Sequence, residues 1–306
     1  MRAIVIGNFD GVHLGHQALF RSALHRAEEV RAVTFEPLPM AVLRPEVPMG
    51  RLTPAAERAE LLRDLCGVAG VLELQPTPEL LGLSPEEFVQ FLAQKTAFDL
   101  VVEGPDFRFG RARAGSVETL RELGATRGFA VEVAQAVEVD LSDGTRVEAR
   151  SSTARALLAE GRVADAARIF GRPYELRCPT ARGDQRGRTI GWPTANLDTT
   201  GRILPADGVY AGEATLPDGR TAIAAISVGT KPTFGESART CETTLLEPDG
   251  RPIALPLDWY GWALRLRFHA RIRGMVRFDG LSALLEAMEG DRAAIVHAMR
   301  SHEGLR

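Results

Sequence analysis

Two histidines three residues apart, His13 and His16, flank Gly15 in the run Gly7-Asn8-Phe9-Asp10-Gly11-Val12-His13-Leu14-Gly15-His16. The run follows an apolar stretch at residues 3–6 and precedes an apolar-periodic segment through Leu19, Leu24, Ala27 and Val30. It therefore sits where a first strand hands over to a first helix, the place where open α/β sheets bind ligands. The chemistry favours an anion. Glycines at 7, 11 and 15 let the backbone approach a phosphate, a helix N-terminus presents free N–H groups, and two imidazoles add donors on the same side. A single histidine in a turn is usually structural or solvated, whereas two around one glycine at such a junction favour a phosphate site.

A second concentration spans residues 183–197, Gly183-Asp184-Gln185-Arg186-Gly187-Arg188-Thr189-Ile190-Gly191-Trp192-Pro193-Thr194-Ala195-Asn196-Leu197. Pro193-Thr194-Ala195-Asn196 alone would be a Pro-initiated turn with Asn capping its own backbone. The flanking glycines and arginines make the run more specific than that. Ser151-Ser152-Thr153-Ala154-Arg155 has a plain reading too, since hydroxyls ahead of a helix are ordinary caps.

These residues need a frame. Strand patterns at residues 31–35, 70–74 and 100–103 alternate with helical patterns at 55–65 and 84–96, which predicts a parallel sheet covered on both faces. Ser84-Pro85-Glu86-Glu87 is a helix start with the spacing of a capping box. After about Arg172 the texture changes. Short runs at 208–214, 221–228 and 262–268 are punctuated by Pro217-Asp218-Gly219 and Pro248-Asp249-Gly250, which is hairpin chemistry. A small antiparallel barrel is expected there, closed by an amphipathic helix with Leu281, Leu284, Leu285 and Met288 on one face. The expected domains are 1–172 and 173–306, joined by a short junction at Gly171-Arg172-Pro173.

Composition narrows the function classes. A chain of 306 residues that is 45% hydrophobic and 25% charged has the material for ordinary cores, which argues against disorder, collagen and coiled coil. Its 37 basic and 40 acidic side chains leave a net charge of −3, so there is no broad positive field and no nucleic-acid partner is expected. Cys66, Cys178 and Cys241 lack the paired spacing of a disulfide framework or structural zinc site. With no signal segment and no run long enough to span a bilayer, no membrane partner and a cytoplasmic location are expected.

The first run resembles the H-x-G-H signature of nucleotidyltransferases, specifically of the bacterial bifunctional riboflavin kinase/FMN adenylyltransferase (FAD synthetase) family, and the resemblance covers nearly the whole chain. It implies an N-terminal α/β nucleotidyltransferase domain with a Rossmann-like sheet and a C-terminal riboflavin kinase barrel. The implied substrates are riboflavin, FMN and ATP, with Mg²⁺, and FAD as product. The implied adenylylation residues are His13, His16 and Arg155 for phosphates, with Gly7, Phe9, Asp10, Gly11, Asp106, Phe107, Ser151, Ser152 and Thr153 around nucleotide and flavin. Thr34-Phe35-Glu36-Pro37 and Arg51-Leu52-Thr53 fit the same pattern of loops. Residues 183–197 resemble the riboflavin kinase G-R-x-x-G-[FY]-P-T-A-N motif. That implies nucleotide contacts from Gly183, Arg188, Gly191, Pro193, Thr194 and Asn196, Mg²⁺ ligation by Thr194 and Asn196, and a base at Glu242.

The chain departs from the family pattern at Leu38, where a histidine is usual, and by one residue missing around Ala154, between Thr153 and Arg155. It departs again at Thr244, in place of the histidine of Glu-x-His, at residues 257–261, and at Met275, in place of a glutamate. Three readings follow. The first is phosphorylation of riboflavin and adenylylation of FMN; the second moves the same apparatus to a flavin analogue or another phosphorylated metabolite. The third is a degenerate flavin or nucleotide sensor without turnover, against which the retained His13, His16, Asn196 and Glu242 argue, because binding alone requires no base.

Overall fold

The computed structural model describes residues 1–47, 49–182, 191–230, 239–254 and 259–303, without the side chains of His302 and Glu303. The chain separates into two compact units, Met1–Asp140 with Gly144–Ser151, and Leu141–Asp143 with Ser152–Arg306.

The first unit is built on strands β1 (Arg2–Ile6), β2 (Glu29–Phe35), β3 (Gly70–Leu74), β4 (Leu100–Glu103) and β5 (Ala130–Val133). They form a parallel sheet in the order β3-β2-β1-β4-β5. The strand order reverses between β1 and β4, which puts the ligand crevice of such a sheet at the carboxyl end of β1. Side chains on successive strand residues go to opposite faces, so a strand buried on both sides must be apolar throughout. In β1, Ala3 and Val5 join one core layer with Phe20 and Leu62, while Ile4 and Ile6 join the other with Phe88, Leu92 and Leu120.

The helices that cover these layers are α1 (Leu14–Arg26), α2 (Pro39–Leu43), α3 (Ala55–Cys66), α4 (Pro78–Leu81), α5 (Pro85–Lys95) and α6 (Val117–Arg127). The capping box that starts α5 is complete. The Glu87 amide donates to Ser84 Oγ at 3.2 Å, and the Ser84 amide donates to a Glu87 carboxylate oxygen at 2.7 Å. A hairpin of β6 (Glu138–Asp140) and β7 (Arg146–Glu148) follows the sheet.

The second unit carries α7 (Ser151–Ala159), of which Ser151 belongs to the first unit, then α8 (Val163–Phe170) and a closed barrel. The sequence boundary at 172/173 falls after both helices. The barrel strands are β8 (Tyr174–Ala181), β9 (Ala195–Leu197), β10 (Gly208–Thr215), β11 (Thr221–Thr230), β12 (Arg239–Leu246) and β13 (Ala263–Arg273). They close in the order β10-β11-β12-β9-β8-β13. The Pro217-Asp218-Gly219 turn joins β10 to β11, with Gly219 at φ 85° and the Leu216 amide donating to the Arg220 carbonyl at 2.9 Å.

Helix α9 (Leu281–Glu303) packs on the barrel through Ile295 and Met299, beside Ala211 and Leu246. The apolar face read from sequence, Leu281 through Met288, is only partly used. Leu281 is exposed, because the contact that buries the helix, at Ile295 and Met299, lies about four turns further along.

Candidate active sites

The loop between β1 and α1 is held in shape by sterics. A Cβ at Gly7 would lie 2.9 Å from the Phe9 ring, and one at Gly15 would lie 2.6 Å from the Ala149 carbonyl oxygen. Only glycine fits at either place. His13 is the N-cap of α1, its Nδ1 accepting from the His16 amide at 3.3 Å. Its ring stacks on that of His16 with centroids 3.5 Å apart. Phe9 is buried beneath them, edge-on to His16 at 5.2 Å and against Phe20 at 5.0 Å. The two histidines are thus brought together at the positive end of a helix beside the sheet's reversal point, an arrangement suited to spreading negative charge from a phosphate chain.

Asp10 points inward. Its carboxylate accepts from the amides of Leu52 at 3.2 Å and Thr53 at 2.9 Å, while the Thr53 hydroxyl accepts from the Gly11 amide at 3.0 Å. The Asp10 carbonyl accepts from Ser151 Oγ at 2.8 Å. Asp10 therefore ties the histidine loop to residues 51–53. Asp106 is exposed and paired with Arg150 at 2.5 Å, and Phe107 is half-buried with its ring stacked on Phe109 at 5.5 Å. Ser152, Thr153 and Arg155 continue along α7 around the fully buried Ala154.

Arg58 on α3 has no counterpart in the sequence reading, and it connects the histidine loop to the end of β2. Its fully buried guanidinium donates to the carbonyls of Asn8 at 3.2 Å and Phe35 at 3.3 Å and to Glu36 Oε2 at 3.1 Å. Glu36 is also gripped by Arg51 at 2.7 and 3.0 Å. Burial pushes the Arg58 guanidinium below its ordinary value, and the Glu36 carboxylate opposes that. A signal was present: Arg58 shares a helix face with Leu62 and Cys66 at four-residue spacing, an apolar stripe in which an arginine needs a partner. Leu38 is buried at the N-cap of α2.

In the barrel, Asn196 on β9 stands directly opposite Glu242 on β12. Glu242 and Thr194 line a cavity of about 280 Å³ whose walls also include Thr244, Met275, Arg273 and Asp291. Gly191 precedes them in the left-handed region at φ 79°, and Pro193 is half-buried. Gly183 and Arg188 lie outside the described residues. Arg273 is locked to Asp291 by two 2.8 Å hydrogen bonds, and its guanidinium lies over Phe278 at 5.5 Å. Neither Arg273 nor Asp291 stood out in the sequence, because the pair forms only when the end of β13 meets α9. The Cys241 thiol, fully buried beside Glu242, is pushed well above its ordinary range by desolvation, which leaves it unreactive.

Both halves of the chain match known families. The FAD synthetase family matches residues 1–148 and the riboflavin kinase family residues 170–299. The bifunctional riboflavin kinase/FMN adenylyltransferase of Pseudomonas fluorescens is 36% identical over 94% of this chain and 90% of its own length. That of Bacillus subtilis (strain 168) is 30% identical over 94% of this chain and 90% of its own. Among solved structures, one described as a macrolide-efflux protein from Streptococcus pneumoniae is 28% identical with a TM-score of 0.82, covering 96% of this chain and 93% of that one. In this chain no helix among the described residues is long and apolar enough to cross a membrane. With both family matches in this order and relatives aligned over most of their length, the chain belongs to the bifunctional riboflavin kinase/FMN adenylyltransferase family.

Proposed function

We propose that this protein converts riboflavin to FMN and FMN to FAD, with ATP as donor in both steps, and that domains 173–306 and 1–172 carry the two reactions in that order. The observation that carries the reading is the placement of Glu242 opposite Asn196, in the cavity that Thr194 also lines. In the first step the Glu242 carboxylate accepts the proton of the terminal ribityl hydroxyl while its oxygen forms a bond to the γ-phosphorus of ATP. The bond from that phosphorus to the bridging oxygen breaks, and ADP leaves. The Thr194 hydroxyl and the Asn196 side-chain carbonyl are hard neutral oxygens on the segment that faces Glu242, a donor set that would suit the Mg²⁺ accompanying ATP. That ion would neutralise phosphate charge; the residues named would hold it.

In the second step a phosphate oxygen of FMN attacks the α-phosphorus of ATP and pyrophosphate leaves. No protein nucleophile is required. His13 and His16, with the amides at the start of α1, stabilise charge on the phosphates, and Ser151, Ser152, Thr153 and Arg155 are assigned to the same task. Asp106 and Phe107 are assigned to nucleotide and flavin contact. The partners this requires are small molecules, without nucleic acid or membrane, and a cytoplasmic location agrees with three buried cysteines that stand outside any disulfide.

One observation favours a variant of this reading, in which the acceptor is a flavin analogue. Thr244 and Met275 line the same cavity as Glu242. A site built to hydrogen-bond its substrate discriminates against analogues lacking that group, so a change of lining residue changes the preferred acceptor. The deciding experiment is incubation of the purified protein with Mg-ATP and riboflavin, FMN or flavin analogues, with products resolved by chromatography. The reading expects FMN and FAD; binding without turnover would contradict it.

A further inference from the structure

Strand β1 pairs with β4 only at Ala3↔Leu100 and Ile4↔Val101, and the ladder goes no further. On the other side of β1 the pairing with β2 continues through Ile6↔Val33, and the Gly7 amide donates to the Val33 carbonyl at 2.9 Å. The Ile6 amide, the last of β1, is thus left facing β4 without a backbone acceptor. A buried amide cannot stay unpaired without cost. The acceptor is the side chain of Glu103, the last residue of β4, whose Oε1 takes the Ile6 N–H at 2.6 Å. Glu103 is 2% exposed.

This carboxyl has no charged partner among the described residues. It is held by the amides of Ile6 and Gly104, and burial keeps it well above the usual carboxylate range. Val101, two residues earlier on the same strand, belongs to the apolar layer with Phe88 and Leu120. A charged residue type in such a place does a job that a valine could not. That place is the end of β1 nearest β4, where the strand order reverses and where the histidine loop begins one residue later.

We propose that Glu103 is a positioning residue for adenylyl transfer: by supplying the acceptor that the β4 backbone lacks, it fixes the end of β1 and the loop that carries His13 and His16. The proposal rests on the reading of that loop as the adenylylation site. Glutamine retains an oxygen that can accept the Ile6 N–H, whereas leucine fills the space without one.

The test compares E103Q and E103L in two assays, FAD formation from FMN and Mg-ATP, and FMN formation from riboflavin and Mg-ATP. The second reports on the other unit and serves as the control for folding. E103Q is expected to form FAD within about twofold of the unaltered rate. E103L is expected to lose on the order of tenfold or more in kcat, the scale that small misplacements of catalytic groups produce. Riboflavin phosphorylation should be unchanged in both. Three results would overturn the proposal: an E103L that forms FAD at the unaltered rate, an E103Q as impaired as E103L, or equal loss of both half-reactions in E103L. The unaltered protein separates this idea from the one beneath it. If it makes no FAD, the reading of the site fails; if it does and E103L matches it, only the role of Glu103 fails.

Discussion

Arg58 and Glu103 show how single buried polar groups hold the histidine loop from two sides. Arg58 holds the Asn8 carbonyl, and Glu103 holds the Ile6 amide. Replacing Arg58 with methionine keeps most of the packing volume but strands Glu36 and two carbonyls. Breaking one side of a buried, hydrogen-bonded pair costs roughly 2–4 kcal/mol. R58M should therefore unfold at lower denaturant concentration and form FAD more slowly, while R58K should recover part of both; an R58M as stable and active as the unaltered chain would show the network to be incidental.

Glu103 also gives a pH signature, whose sign follows from linkage. Its folded-state proton affinity is raised by burial, so the folded chain keeps a proton that the unfolded chain releases. That contribution to stability is complete below the unfolded carboxyl value of about 4.3 and is lost as pH rises through the folded value. The glutamine of E103Q does not titrate. Thermal unfolding of the two proteins across pH 4 to 9 should therefore show E103Q gaining on the unaltered chain as pH rises, and a difference that stays flat would contradict burial of an unpaired carboxyl.

At the scale of elements, the start of α1 is where backbone geometry and chemistry meet. Gly15 occupies the second position of that helix, and alanine there has a better helix propensity by up to about 1 kcal/mol. The Cβ of that alanine, however, would sit 2.6 Å from the backbone oxygen of Ala149. Overpacking against backbone typically costs about 1–3 kcal/mol, so the clash wins. G15A should lower the melting temperature and slow FAD formation by shifting His13 and His16, with FMN formation from riboflavin preserved. A G15A more stable than the unaltered chain would mean that the contact relaxes freely.

Much at this scale was legible in the sequence. The strands at 70–74 and 100–103 appear with those limits, the Ser84 box closes as its spacing requires, and Pro217-Asp218-Gly219 joins two strands. Each of those signals is local. Helix α6 and strand β5 were not singled out, and Leu281 proved exposed because amphipathic spacing shows which residues share a face but not which turn of the helix meets the barrel. The histidine pair was readable because both residues lie in one short run. Arg58, Glu103 and the Arg273–Asp291 pair were not, since their partners lie far away in the chain and only the fold brings them together.

For the whole molecule, the central claim is that one chain holds two chemically separate transfer sites, one around the histidine pair at the end of the parallel sheet and one in the barrel. Asn196 and Glu242, the residues proposed for the kinase step, are register partners on adjacent barrel strands, whereas His13 and His16 stack at the end of a parallel sheet. Neither histidine is assigned to the first reaction, and neither Asn196 nor Glu242 to the second. Failure of one step should leave the other intact, and FMN should be both product of the first and substrate of the second. The most direct measurement is the chromatographic time course of FMN and FAD made by E242Q and by the H13A/H16A double variant, each given Mg-ATP with riboflavin or with FMN. E242Q should make no FMN from riboflavin yet convert supplied FMN to FAD at nearly the unaltered rate. The double variant should accumulate FMN and lose FAD formation by a factor of 100 or more, roughly what losing charge-stabilising donors costs. Equal loss of both activities in either folded variant, or FAD formation at the unaltered rate by the double variant, would contradict the two-site account.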